Sequence, residues 1–464
     1  MIFNSLTFIF IFLPIFLLIY YNTKNKYKNI VLLLFSLIFY GWNNFSYVLL
    51  LMGSITINFL FGKLIEQNNK SRKFFLGFAV ITNIAFLMYF KYTNFFIESY
   101  NQLSGNNIAL QNIILPIGIS FYTFQAISYQ IEVYKRSVKA NKNFINLTVY
   151  IGMFPQLSAG PIVRYNQIYK QIENRGNINL NNFYEGIQRF ILGLSKKVLI
   201  ADNLGVKTDL IFDQVVSGID SPTAWIGMLS YSFQIFFDFS GYSDMAIGIA
   251  QIIGYKLPEN FNYPYISKSL KEFWQRWHIS LSSYFRDYLY IPLGGNRNKR
   301  TYLNLLIVFL VTGFWHGPRW TFIIWGIWHW IFNVIEKILT KKNLLDKFPK
   351  IIRMLTTFLI VSLGFIIFRA VDIETAKLYF LSLIGLGENA GGFYTYEYFL
   401  SNDMIILLIL SIIFSTPLFN ILRNKGKNNA IFQLIYNIVL IIIFILSISV
   451  VITSTYSPFI YSRF

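Results

Sequence analysis

The chain is 464 residues long, 55% hydrophobic and 19% aromatic, with 13% charged residues and no cysteine. A soluble domain carries about 25% charged residues, so this composition describes a chain that crosses a membrane repeatedly, and the missing thiols exclude disulfides and thiolate metal sites. The net charge of +19 does not signal nucleic acid, because the Lys and Arg residues fall in short loops between apolar runs, where a cytoplasmic excess is expected.

In chain order, the opening MIFNSLTFIFIFLPIFLLIYY has no basic leading region and no small-residue cleavage site. It reads as a retained first span rather than a signal peptide. A hydrocarbon core about 30 Å thick takes roughly 20 helical residues. Apolar runs of suitable length fall at 4–22, 29–42, 47–65, 74–91, 113–131, 223–239, 319–338, 351–369, 403–421 and 431–453. Interrupted runs at 241–254 and 302–316 add to these, for an all-α, polytopic fold of about 11–13 membrane helices. The chain reads as a single membrane domain over 1–464. Within it lie N-terminal helices (1–131), re-entrant and surface helices (132–222), a core (223–338) and C-terminal helices with a tail (339–464).

Basic clusters alternate along the loops: Lys24, Lys26 and Lys28; Lys70, Arg72 and Lys73; Lys135, Arg136, Lys139 and Lys142; the lysines between 337 and 350; then Arg423, Lys425 and Lys427. The loop at 370–402 carries Asp372, Glu374, Glu388 and Glu397 instead. Basic loops inside put both termini outside. Residues 145–161 (INLTVYIGMFPQLSAGP) are too short and too rich in Gly and Pro to span, which suggests a re-entrant segment. Residues 162–205 mix aromatics with Arg164, Lys170, Arg189, Lys196 and Lys197, as surface-lying helices do.

Placed on one helix, LKEFWQRWHISLSSYFRDYL (270–289) puts Phe273, Trp274, Trp277, Leu281, Tyr284 and Tyr288 on one face. Lys271, Gln275, His278, Ser282 and Arg286 line up beside them. The stripe is either a solvated face with snorkelling cations or a site for an anionic cytosolic ligand, since fixed Arg and Lys attract phosphate. IPLGGNRNKR follows, a Gly-rich turn before more cations.

All three histidines are His278, His316 and His329. If the run from Tyr302 stays helical, His316 lies about 20 Å into the bilayer. Pro318 then breaks the helix, and Gly313 and Gly317 allow close approach. An ionisable group at that depth is a candidate functional residue; the other reading is a helix–helix hydrogen bond. A neutral imidazole open to water from both sides would serve as a general base. His329, in GIWHW, fits packing or an interfacial position better than chemistry. A three-imidazole zinc site finds no close ligand pair in the spacing, so no metal is expected. In FFDFSGYSDMAIG, Asp238 and Asp244 have the basic stripe, backbone donors or a histidine as alternative partners.

EFWQRWHISLSSYFRDYLYIPLGGNR followed by LVTGFWHG resembles the signature of the membrane-bound O-acyltransferase family, in the bacterial branch that O-acetylates alginate and peptidoglycan. LPIGISFYTFQAISY, FPQLSAGPIVR, FDFSGYSDMAIG, PENFNYPY and the ending SPFIYSRF extend the resemblance over nearly the whole chain. The resemblance implies a funnel-shaped helical tunnel and acetyl-CoA as cytosolic donor, a substrate rather than a bound cofactor. It implies an outward acceptor, polysaccharide or peptidoglycan, reached through an SGNH-type extracytoplasmic partner, in the bacterial cytoplasmic membrane. It maps the family's histidines onto His316, as general base or brief acyl carrier, and His278, and its tail motif makes Tyr461 a candidate acyl relay; the polar segment itself supplies Lys271, Arg276, Ser282 and Arg286 toward the donor. An ion- or proton-coupled transporter with broken helices and a non-catalytic export scaffold are the competing readings.

Overall fold

The computed structural model describes residues 1–157, 160–175, 179–297, 299–387, 394–454 and 456. The chain is 77% helical and has no strand among these residues. It divides into two compact units, residues 1–192 with 242–258, and 193–241 with 259–464.

The first unit begins with a π-helical turn, Phe8–Phe12, that runs into α1 (Leu13–Asn22). Phe8, Phe12, Phe16 and Tyr20 recur every fourth residue and so share one face; all four are buried. Three helices follow: α2 (Lys28–Gly41), α3 (Ser46–Gln67) and α4 (Arg72–Ser104). Next come α5 (Ile119–Tyr134), the short α6 (Phe144–Gly152) and α7 (Phe154–Leu157), then α8 (Tyr165–Glu173) and α9 (Leu180–Ser195). The segment expected to be re-entrant is thus two short helices enclosed by protein. The Phe154 ring of α7 meets Phe8, Phe12, Phe16 and Phe39 at 5.2–6.2 Å between centroids. Polar side chains join α3, α4 and α5. Asn58 and Asn83 exchange amide hydrogen bonds of 2.9 and 3.0 Å, and Gln130 donates to the Asn58 carbonyl at 2.7 Å. Such bonds hold helices together where lipid offers no hydrophobic drive. At one end the basic loops converge: Arg72 donates to the Val133 and Tyr134 carbonyls, Arg136 to Asn69, and Asn29 to Asn146.

The second unit opens with a π-helical turn, Lys196–Ala201, and α10 (Asp202–Asp213). The long α11 (Ser221–Ile252) belongs to this unit up to Gly241. The two runs at 223–239 and 241–254 are therefore one helix. Gly241 does not end it; a Cβ there would lie 2.7 Å from the Gly193 carbonyl, so this glycine serves close packing. Then follow α12 (Leu270–Arg276), α13 (Ile279–Phe285), α14 (Thr301–His316), α15 (Trp320–Lys341), α16 (Lys350–Arg369) and α17 (Ile373–Leu383). The chain closes with α18 (Tyr396–Phe399), α19 (Asn402–Phe414), α20 (Leu418–Gly426) and α21 (Ala430–Thr453). The run at 403–421 breaks before Pro417, and α19 and α20 meet at 62°, because proline lacks the amide hydrogen and restrains the residue before it.

Among the described residues, five helices are long and apolar enough to cross a membrane: α3, α4, α15, α16 and α21; the bent pair makes six. This is fewer than the sequence count. Other helices are shorter or carry buried polar side chains, such as Gln125, Ser128 and Gln130 in α5. A helix enclosed by its neighbours need not be apolar all round.

Candidate active site

His316 is the last residue of α14, which stays helical from Thr301. Gly317 and Pro318 break the chain, and α15 starts at Trp320. The two helices touch backbone to backbone. A Cβ on Gly313 would lie 2.2 Å from the Phe322 carbonyl oxygen, and one on Gly326 would lie 2.4 Å from that of Phe309. This close approach sets the His316 ring against α15 and α16. The ring is 4% exposed. Trp325 and Phe368 meet it edge-on at 5.1 Å, and Trp315 lies 5.0 Å away. So enclosed a ring differs from the expected imidazole open to water from both sides, and a reactant could reach it only if its aromatic walls part.

The single helix expected over 270–289 is two helices. Trp277 is extended, and His278 sits between α12 and α13 at a φ of 43°. A left-handed non-glycine residue is costly and marks a site that its surroundings over-determine. The overriding partner is the PENFNYPY segment. Ile279 N–H donates to the Asn260 carbonyl at 2.9 Å, and Asn262 N–H to the Arg276 carbonyl at 2.9 Å. The Asn260 side-chain oxygen accepts from the Ser280 hydroxyl at 2.8 Å and from the Ser280 amide at 3.3 Å. An amide N–H can only donate, so the facing atom is oxygen. His278 Nδ1, 3.0 Å from that oxygen, therefore carries the hydrogen, and Nε2 has the lone pair.

The break also dissolves the stripe. His278 turns inward and is 1% exposed, while Lys271 and Arg286 stay at the surface. Arg276 pairs with Glu272 at 2.9 Å and donates to the Asn262 carbonyl, Arg286 pairs with Asp287 at 2.7 Å, and Ser282 donates to the Trp277 carbonyl at 3.3 Å. Lys271 offers its amide to Glu336 at 3.1 Å. The four residues assigned toward the donor thus lie along two short helices without a common line.

The three histidines do come together, through tryptophan. Trp315 lies 6.2 Å from His278 and 5.0 Å from His316; Trp325 lies 5.1 Å from His316 and 4.8 Å from His329. His329 is fully buried, with Trp274 edge-on at 4.9 Å, and neither ring nitrogen has a hydrogen-bond partner among the described residues. That is a packing position, not an interfacial one. Among the described residues no group of three or more His, Cys, Asp or Glu is arranged to hold a metal ion. Tyr461 lies outside the described residues.

A model of the membrane-bound O-acyltransferase family matches residues 135–343, the stretch holding all three histidines. The chain is 42% identical over 400 residues to "Probable alginate O-acetylase AlgI" of Azotobacter vinelandii, covering 84% of this chain and 79% of that protein. It is 39% identical over 423 residues to "Peptidoglycan O-acetyltransferase" of Helicobacter pylori, covering 83% and 80%. "Teichoic acid D-alanyltransferase" of Bacillus subtilis matches at 32% over 275 residues, 55% of this chain and 69% of that one. The chain belongs to the membrane-bound O-acyltransferase family. This O-acyltransferase is a multi-pass membrane protein, and its being an enzyme sets aside the transporter and scaffold readings.

Three features of the O-acyltransferase escaped sequence reasoning. Asn260 was one letter within a motif; only the fold sets it against His278. Lys197, 2% exposed, was grouped with surface cations, yet it pairs with Asp238 at 2.7 Å and with Asp202. Burial pushes the Asp202 carboxyl up to about 7, against the pull of Lys197. Asp244 pairs instead with Arg189 at 2.9 Å. Third, Asp209 accepts from Arg369 at 2.7 Å and from the Tyr456 hydroxyl at 2.8 Å. Arg319, half-buried three residues past His316 and within electrostatic reach of Arg369, has no ion pair among the described residues. For the last two the signal is a charged residue in an apolar context, which does not name its partner.

Proposed function

We propose that the chain transfers an acyl group, acetyl in the first instance, from cytosolic acyl-CoA to an acceptor outside the bacterial cytoplasmic membrane, with His316 as general base. The acceptor hydroxyl gives its proton to His316 and its oxygen attacks the thioester carbonyl. The C–S bond breaks, and the departing thiolate takes up the proton. The observation that carries this reading is the position of His316, a buried imidazole at the turn of the α14–α15 hairpin and walled by aromatic rings. A neutral imidazole has a ring nitrogen lone pair with which to accept that proton. In this reading His278, held in one tautomer by Asn260, orients the donor side, where the exposed Lys271 and Arg286 face the phosphates of CoA.

The names of the relatives support a polysaccharide or peptidoglycan as final acceptor. The uncompensated charge of Arg319 supports an acceptor that bears a carboxylate or phosphate beside its hydroxyl. In this reading both termini face outward, and Tyr461 takes the acyl group and passes it to an SGNH-type partner.

Reconstitution in vesicles with radiolabelled acetyl-CoA tests the proposal. His316→Ala should lower CoA release by about 10²–10⁴-fold while the purified protein melts as before. Tyr461→Phe should abolish label on the protein yet leave slow CoA release by water. Undiminished release in His316→Ala sinks the general-base role, and full labelling in Tyr461→Phe sinks the relay.

A further inference from the structure

Lys28, Arg175 and three tyrosines gather at the end of the first unit where the basic loops converge. Lys28 opens α2 and is 8% exposed. Its Nζ lies 5.2 Å from the centre of the Tyr20 ring and 5.8 Å from that of Tyr21. The Arg175 guanidinium lies 5.2 Å from the same Tyr20 ring and 4.7 Å from Tyr255, and it donates to the Asn29 side-chain oxygen and the Tyr255 hydroxyl. Tyr20 and Tyr21 donate their hydroxyls to the carbonyls of Ile253 and Ile252 at 2.8 and 2.6 Å, so both rings are fixed walls. Lys28 and Arg175 are close enough to oppose each other's charge. Neither has an acidic partner among the described residues, and Arg175 Nε is buried with no hydrogen-bond partner.

Two cations side by side, one of them nine-tenths buried, are costly without an anion between them. Ring faces offset part of that cost but leave the charge uncancelled and an N–H unused. A planar guanidinium beside a point-charge ammonium suits a tetrahedral oxyanion. Tyrosines at a helix end mark the headgroup level, and basic pockets between membrane helices on the cytoplasmic side bind phosphate headgroups.

We propose that Lys28 and Arg175, on the platform of Tyr20, Tyr21 and Tyr255, form a phosphate-binding site, filled by an anionic lipid headgroup or by a soluble phosphate compound. The site is built from residues of the first unit alone and does not rest on the acyl-transfer reading.

The full chain, delipidated in nonionic detergent, is titrated with phosphatidylglycerol in mixed micelles, read by native mass spectrometry. A parallel titration uses inorganic phosphate against chloride at equal ionic strength, read by melting temperature. Wild type is compared with Lys28→Gln, Arg175→Gln and the double variant; Lys26→Gln, at an exposed neighbour, is the control. Each single variant should bind about tenfold more weakly, the loss of one charge-assisted contact, and Lys26→Gln should match wild type. Without ligand, Lys28→Gln should melt no lower than wild type, because it relieves repulsion, which keeps lost binding distinct from lost folding. Saturation by phosphatidylglycerol alone assigns the lipid; saturation by inorganic phosphate as well assigns the soluble anion. Binding that is absent in wild type, or equal in wild type and the double variant in both arms, overturns the site.

Discussion

His278 shows how much one residue owes to its neighbours. Its left-handed backbone, its Asn260 partner and its Phe239 contact at 4.6 Å come from segments scattered along the chain. Burial pushes its imidazole down to about 3, against about 6.5 in an unfolded chain. Between those values the unfolded chain binds a proton that the folded chain does not. Stability contributed by the neutral ring is therefore complete above pH 6.5 and falls as pH drops toward 3, by about 1.4 kcal/mol per pH unit. Melting curves at pH 5 and pH 7 should show a smaller gap for His278→Gln than for wild type. Equal gaps would mean that the ring does not sit buried and neutral. The histidine itself was legible in the sequence; its tautomer was not, because that depends on an amide eighteen residues upstream.

At the scale of elements, the hairpin of α14 and α15 is the frame on which His316 hangs, and two glycines allow it to close. Gly313→Val places a branched side chain where a Cβ already stands 2.2 Å from the Phe322 carbonyl oxygen. A backbone atom cannot swing aside, so the helices must separate. The expected loss is at least about 1–3 kcal/mol, read as a lower melting temperature together with lost activity. Gly53→Ala in α3 is the contrast: nothing lies within 4 Å of its Cβ position, so the helix should gain up to about 1 kcal/mol. In the sequence Gly313 is legible as a site of close approach, whereas Gly326 and Gly241 carry no such mark, and Gly241 falls where two apolar runs meet. Only the neighbouring backbone at Gly193 distinguishes a packing glycine from a terminator.

For the whole molecule, the alternation of basic loops predicts which end faces the cytoplasm. The chain has no cysteine, so single cysteines report topology directly. Lys139 and Glu374 are exposed. In intact cells a membrane-impermeant maleimide should label Glu374→Cys, and it should label Lys139→Cys only after permeabilisation. The reverse pattern would invert the topology. Within the first unit, the contacts of Arg72, Arg136 and Asn29 gather three of these loops at one end, as a shared cytoplasmic face requires.

By itself the sequence determined what hydropathy and spacing encode: an all-helical membrane chain, a histidine deep enough in an apolar run to be a candidate functional residue, and motifs that resemble those of a known family. These are local properties, because burial in lipid constrains each segment one at a time. The tertiary structure decided which polar groups meet: His278 with Asn260, Lys197 with Asp238, Arg369 with Asp209. It also decided that a stripe drawn on one ideal helix would break at its histidine. Such pairings join residues far apart in the chain, and a buried charge is stabilised by whatever the fold brings within about 3 Å of it, which no periodicity records.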